Sequence, residues 1–299
     1  MRQFASPAAF RAAVDTRLRR YARKVSTPVM AVRRQAALER LMARLMPGAP
    51  RRWALKGGLA LDTRLGDRAR SSMDMDLDHA QGATAAREDL LRALAEDLGD
   101  YFTFAVTGTE EVREGDVSLA VRYRIECAVA GILFEPLQVD VTVTPPEAWA
   151  VEPARRPGLL AEVGLGPIDV LLVPLERQIA EKLHAYTRTY NGPSTRVKDL
   201  VDFVLIRQFE RANAKRLADE IAKTFARRGT HPVPQRLSPP TADWERAYRE
   251  EAEAVGITPE LRKAHDLVDG WLDPVLQGTA RGRWDPEQGA WVEEPDSGT

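Results

Sequence analysis

Apolar and acidic residues alternate strictly along one short stretch, Met73-Asp74-Met75-Asp76-Leu77-Asp78. Side chains of a strand alternate faces, so the pattern predicts a strand over 73–79. Asp74, Asp76 and Asp78 then share one side, and Met73, Met75 and Leu77 the other. The apolar side can sit on a core, which a solvated acidic loop would have no reason to prepare. Upstream, 52–56 reads as a short strand and 59–65 as a helix stopped by Gly66. Downstream, 84–98 reads as helical, while 101–106, 117–128 and 132–143 alternate as strands, with Gly131 turning between the last two. Pro145-Pro146 is expected to end the sheet.

Helical spacing governs both flanks. Ser6-Pro7 places a capping serine before a proline at the first helical position and predicts a helix to about Lys24. Thr27-Pro28 repeats the device for a helix to about Leu45, closed by Pro47-Gly48-Ala49-Pro50. From about Ile168 the pattern becomes helical again, with helices over 174–189, 196–209, 212–227, 241–255 and 259–277. The Pro-rich stretch 229–240 reads as a loop and the tail as irregular. The expected organisation is α+β. Basic helices at 1–50 pack on an α/β core at 51–165, followed by a helical domain at 166–280 and an acidic tail at 281–299.

Composition narrows the chemistry. At 299 residues and 44% hydrophobic content the chain can bury two cores. No run approaches the roughly 18 apolar residues of a membrane span. The first residues lack the apolar core of a signal peptide, so a cytoplasmic protein is expected, by default a monomer. The single cysteine, Cys127, excludes an internal disulfide and a cysteine-based zinc site. Its four histidines are scattered, so metal chemistry must run on oxygen ligands. Net charge is −1, yet residues 1–52 carry thirteen Lys and Arg against Asp15 and Glu39. Such a segment is an electrostatic footprint for RNA or DNA. The tail reverses the sign with Asp285, Glu287, Glu293, Glu294 and Asp296.

The candidate site begins at Lys56-Gly57-Gly58, where glycines let backbone amides approach a phosphate closely as a helix opens. Crowded carboxylates repel unless a cation sits among them, and Mg²⁺ is the usual one where phosphates are handled. A third carboxylate, Asp140, shares a strand face with Thr142 and Thr144, opposite valines. Beside the Asp74 strand it would complete a two-ion phosphoryl-transfer site. Lys182 falls among apolar neighbours on its helix, so its ammonium must reach water or a partner, either a triphosphate or Asp199.

Taken together, Lys56-Gly57-Gly58, the Ser72-x-Asp74-x-Asp76 run, the Asp140 strand, Glu181-Lys182-Leu183 and the run from Arg196 through Lys198-Asp199 to Asp202 resemble the nucleotidyltransferase toxins of the AbiEii/AbiGii type, which include MenT-like toxins. The resemblance covers about 53–203. It implies a nucleotidyltransferase fold of the DNA polymerase β type with an appended helical domain, in a toxin paired with a cognate antitoxin. It also implies transfer of a nucleotide from an NTP to RNA, notably the 3′ acceptor end of tRNA, which blocks translation. By position, Asp74 and Asp76, helped by Asp140, would hold Mg²⁺ or Mn²⁺. Lys56, Gly57, Gly58, Ser72, Lys182 and Arg196 would line the nucleotide site, and Lys182 and Asp199 would match the later motif residues. Asp202 stands three residues on and competes with Asp199 for that role. Ser72 matches a serine that a partner can phosphorylate. Leu59 stands where many relatives have Thr or Ser, which removes a phosphate contact. Transfer to a protein or small-molecule hydroxyl, and binding without catalysis, remain open as alternatives.

Overall fold

The computed structural model describes residues 4–70, 72–114, 117–145, 149–189 and 196–293, with 113, 114 and 117–119 described by backbone alone. The chain divides into two compact units, Met1–Arg64 with Ser71–Val173, and Leu65–Arg70 with Pro174–Thr299.

The first unit is α+β. Helices α1 (Pro7–Lys24), α2 (Val29–Gly48), α3 (Gly57–Leu65) and α4 (Ala83–Ala95) accompany seven strands: β1 (Trp53–Lys56), β2 (Met75–His79), β3 (Phe102–Glu114), β4 (Val117–Val129), β5 (Ile132–Val143), β6 (Glu152–Arg156) and β7 (Ile168–Leu172). They form one mixed sheet in the order β3-β4-β5-β2-β1-β7-β6, with β2–β5 and β1–β7 parallel and the other pairs antiparallel. Tyr123, Val139, Val141, Met75, Leu77, Leu55 and Leu172 join the core beneath α1, α2 and α4. Ala130 and Gly131, both at positive φ, make the tight β4–β5 turn that the right-handed twist of a hairpin favours.

The sheet continues past Pro145 into β6 and β7. Strand β6 is polar, carries Pro153 and occupies an edge, so it shows no apolar alternation. Strand β7 is a short apolar run, which periodicity cannot tell from the start of a buried helix. At the N-terminus Ser6 caps α1 by accepting from the Ala9 amide at 3.1 Å. Pro28 itself takes the cap position of α2, and the Thr27 hydroxyl turns back to the Val25 carbonyl at 3.2 Å.

Much of the N-terminal positive charge is consumed within this unit. Arg40 and Arg44 converge on buried Asp100 at 2.7 Å each, and Arg33 bridges Asp15 and buried Glu135 at 3.1 Å. Arg17 and Arg20 meet Glu162, Arg52 meets Asp89, and Arg11 donates to the Val129 and Ile132 carbonyls. Most of these contacts join segments distant in sequence. Arg19, Arg23 and Lys24 remain exposed on α1.

The second unit holds α5 (Leu175–Thr187), α6 (Val197–Phe209), α7 (Ala214–Arg228), α8 (Glu245–Ala254) and α9 (Leu261–Leu276). Asn213 caps α7 through the Arg216 amide, and Gly229 at φ +62° ends it. Stretch 229–240 is the expected loop, pinned where Tyr186 donates to the Ser238 carbonyl and the Leu237 amide to Asp273. The tail is more ordered than its polarity suggested. Strands β8 (Arg283–Asp285) and β9 (Ala290–Val292) pair, and Trp284 packs between Trp271 and Trp291. Glu294 and Asp296 lie outside the described residues.

Candidate active site

Strand register builds a row of charge across one face of the sheet. Arg122 of β4 faces Asp140 of β5, Asp140 faces Asp76 of β2, and Asp76 faces Lys56 of β1. Register partners share a face, so cation, two carboxylates and cation stand in line at the ~4.8 Å spacing of strands. The intervening row, Val121, Val141, Leu77, Leu55 and Leu172, points to the opposite, apolar face. Alternation along each strand therefore separates the core from the chemistry.

Where β1 ends, α3 starts at Gly57, two residues earlier than its apolar pattern suggests. Gly57 has φ +61°, and a Cβ there would lie 2.0 Å from Asp76 Oδ2. The Asp76 carboxylate thus rests against the glycine Cα at the amino end of a helix, where the macrodipole favours negative charge. Gly58 follows in the first turn, and Leu59 is fully buried, spent on the core.

Asp74 sits at an exposed bend just before β2, and the Ser72 hydroxyl donates to its carbonyl at 3.1 Å. Asp78, the third acid of the alternation, is fully buried and accepts from the hydroxyls of Thr142, at 3.1 Å, and Thr144. It is structural cement between β2 and β5. Asp140 is gripped at both oxygens by Arg122, Nε to Oδ1 and Nη2 to Oδ2, each at 2.8 Å. That pair keeps the guanidinium pKa above its ordinary value, chiefly through the hydrogen bond to Asp140, with Glu110 and Asp74 adding to it. Among the described residues no three His, Cys, Asp or Glu groups are gathered to hold an ion. Asp140 stands beside Asp76 in register but is held on Arg122, and does not close a three-acid cage.

The second unit contains its own charged cluster. Lys182 of α5 is buried and donates to Asp199 at 3.0 Å and Asp202 at 2.6 Å. Arg70 holds Asp202 through two hydrogen bonds of 2.9 Å, and Arg196 reaches Asp199 at 3.4 Å. Burial alone would lower the Lys182 pKa, but Asp202 and Asp199 outweigh it and raise the value. Burial likewise works against ionised Asp202, and Lys182 and Arg70 reverse it, leaving its pKa below the ordinary carboxylate range. Lys182, Arg70 and Arg196 hold Asp199 and Asp202 between them, and Glu251 also acts on Arg70. The choice between Asp199 and Asp202 dissolves, since both hold the same ammonium.

Two of these residues escaped the sequence reading. Alternation with Val121 and Tyr123 puts Arg122 on the polar face of its strand, but only register brings it to Asp140. Arg70 immediately precedes the serine–aspartate run in a loop with no periodic signal. A separate cavity of about 870 Å³ in the first unit, lined by residues that include Met46, Trp53, Ala154 and Ile168, contains none of the site residues.

Residues 40–270 match the family described as nucleotidyl transferase AbiEii toxin of type IV toxin–antitoxin systems. Among solved structures the chain is similar to MenT4, a nucleotidyltransferase toxin from Mycobacterium tuberculosis H37Rv, at 19% identity and a TM-score of 0.48, covering 86% of this chain and 96% of that one. No curated protein matches the sequence.

Proposed function

We propose, from the premise that this chain belongs to the AbiEii nucleotidyl transferase toxin family of type IV toxin–antitoxin systems, that it moves a nucleoside monophosphate from an NTP onto RNA, at the 3′ acceptor end of tRNA, and so blocks translation. The observation that carries the reading is Asp76: a carboxylate wedged against Gly57 at the opening of α3, flanked in register by Lys56 and Asp140.

The donor set fits a hard divalent ion. Asp74 presents an exposed carboxylate and Asp76 a half-buried one, and the nearest histidine in the strand, His79, is buried against Asp89 and Trp53. Asp74 and Asp76 would hold Mg²⁺ or Mn²⁺. Such an ion supplies charge neutralisation for the triphosphate and its pyrophosphate leaving group. Lys56 contributes fixed positive charge beside Asp76, and the glycines let the opening of α3 approach a phosphate. Within the second unit, Lys182 and Arg196 would bind nucleotide, with Asp199 and Asp202 positioning the ammonium.

In the reaction the RNA 3′-hydroxyl oxygen forms a bond to the α-phosphorus, the bond from that phosphorus to the β-phosphate oxygen breaks, and pyrophosphate leaves. The hydroxyl proton passes to solvent. The protein's contribution is orientation and preorganised charge. Exposed Arg19, Arg23 and Lys24 supply phosphate-backbone contacts weakened by salt. Phosphorylation of Ser72 would add about −1.5 to −2 charges next to Asp74 and repel the triphosphate.

Total tRNA incubated with Mg²⁺ and each α-³²P NTP in turn tests this. Label at RNA 3′ ends with a single favoured nucleotide is expected. Label found only in protein or in small molecules would reject RNA as the acceptor.

A further inference from the structure

We propose that Arg122 is a built-in cation at the third carboxylate, so that the site takes a single divalent ion, on Asp74 and Asp76, in place of an ion pair. This rests on the nucleotidyl-transfer reading above.

A two-ion site needs its carboxylates turned toward ions about 3.5–4 Å apart. In this sheet the third carboxylate is already spent. Both oxygens of Asp140 accept from the forked guanidinium of Arg122 at 2.8 Å, the bidentate geometry that matches these two groups best. The placement comes from the sheet itself, because Arg122 and Asp140 are antiparallel register partners in a continuous hairpin. Asp140 in turn is the parallel register partner of Asp76. The fixed positive charge therefore stands two strands from the ion-holding aspartate, on the same face.

The pair is accessible to a ligand, since the Arg122 side chain is 31% exposed and Asp140 17%. Guanidinium stays charged at any pH where the chemistry runs, and it has donors left over after satisfying Asp140. Asp74 also acts on the Arg122 charge. A plain cross-strand salt bridge would share the geometry, but it would not set the number of ions bound. Arg122 is a positioning residue: it fixes Asp140 and supplies the charge a second ion would bring.

The test counts protein-bound Mn²⁺ by equilibrium dialysis, with a saturating mixture of the four α,β-methylene ribonucleoside triphosphates. The wild-type chain should bind one Mn²⁺, Arg122→Gln two, and Arg122→Lys one, the last showing that charge at this position decides the count. Two ions on the wild-type chain, or one on Arg122→Gln with its unfolding transition intact, would overturn the proposal. Asp76→Asn separates the underlying reading. Loss of the wild-type ion in that variant upholds Asp76 as the ion holder whatever Arg122 does. Identical binding by wild type and Asp76→Asn removes the nucleotidyl site, and the role of Arg122 with it.

Discussion

Replacing Gly57 with alanine applies two separable stresses. The first is backbone: at φ +61° an L-residue costs about 1–2 kcal/mol that glycine does not. The second is steric and specific to the site. The new Cβ would stand 2.0 Å from Asp76 Oδ2 and 2.9 Å from its Cγ, whereas ordinary contact begins at 3.4 Å. The carboxylate must retreat by more than an ångström, and misplacing a reacting geometry by about 1 Å costs on the order of 100-fold in rate. Gly66 provides the control, with φ +59° and nothing within 4 Å of its built Cβ. Both variants should lose about 1–2 kcal/mol in urea unfolding from the backbone term. Only Gly57→Ala should also lose nucleotide transfer, by about two orders of magnitude at saturating NTP. A folded Gly57→Ala protein that transferred nucleotide at the wild-type rate would refute the assignment of Asp76 to the chemistry.

Other outcomes follow from the same geometry. Lys182→Met strips the shared partner from buried Asp199 and Asp202 and should cost about 3–5 kcal/mol of stability alongside activity; an unchanged urea midpoint would mean that the ammonium serves ligand alone. Burial, with nearby His231, Arg228, Arg188 and Arg227, pushes His184 down to about 4. Because that folded value lies below the ordinary 6.5, its contribution is full above pH 6.5 and is lost as pH falls toward 4. Urea titrations between pH 4 and 7 should show a shallower acid-side loss in His184→Gln, and equal slopes would remove His184 from the account. Ser72→Glu should depress nucleotide transfer well below Ser72→Ala while leaving unfolding unchanged, because the added charge lies beside Asp74; equal rates in the two variants would end the idea of an electrostatic off-switch.

Elements whose periodicity and punctuation agree were legible in the sequence. The Ser6-Pro7 cap, the β5 alternation, the helix expected over 212–227 and found at Ala214–Arg228, and the apolar positions of β2 fall into this class. So did Asp76, because a face is a property of one strand. What required three dimensions was register. Nothing in the local sequence says that Arg122 meets Asp140, that Asp78 is buried under Thr142 and Thr144, or that Asp202 shares Lys182 with Asp199. The basic N-terminus shows the same limit. Composition counts charges, but Asp100, Glu135 and Glu162, each distant in sequence, neutralise many of them within the fold. Strand β6 was silent because an edge strand with a proline and arginines has no buried face to advertise.

The central claim is transfer of the nucleotidyl group, and label position within the triphosphate decides it most directly. Parallel reactions with total tRNA, Mg²⁺ and the favoured NTP would carry ³²P at either the α or the γ phosphorus, with Asp76→Asn beside the wild-type chain. The account predicts α-label in RNA, γ-label released only as pyrophosphate, and neither with the variant. Entry of γ-label into the acceptor, or undiminished α-label transfer by Asp76→Asn, would contradict it.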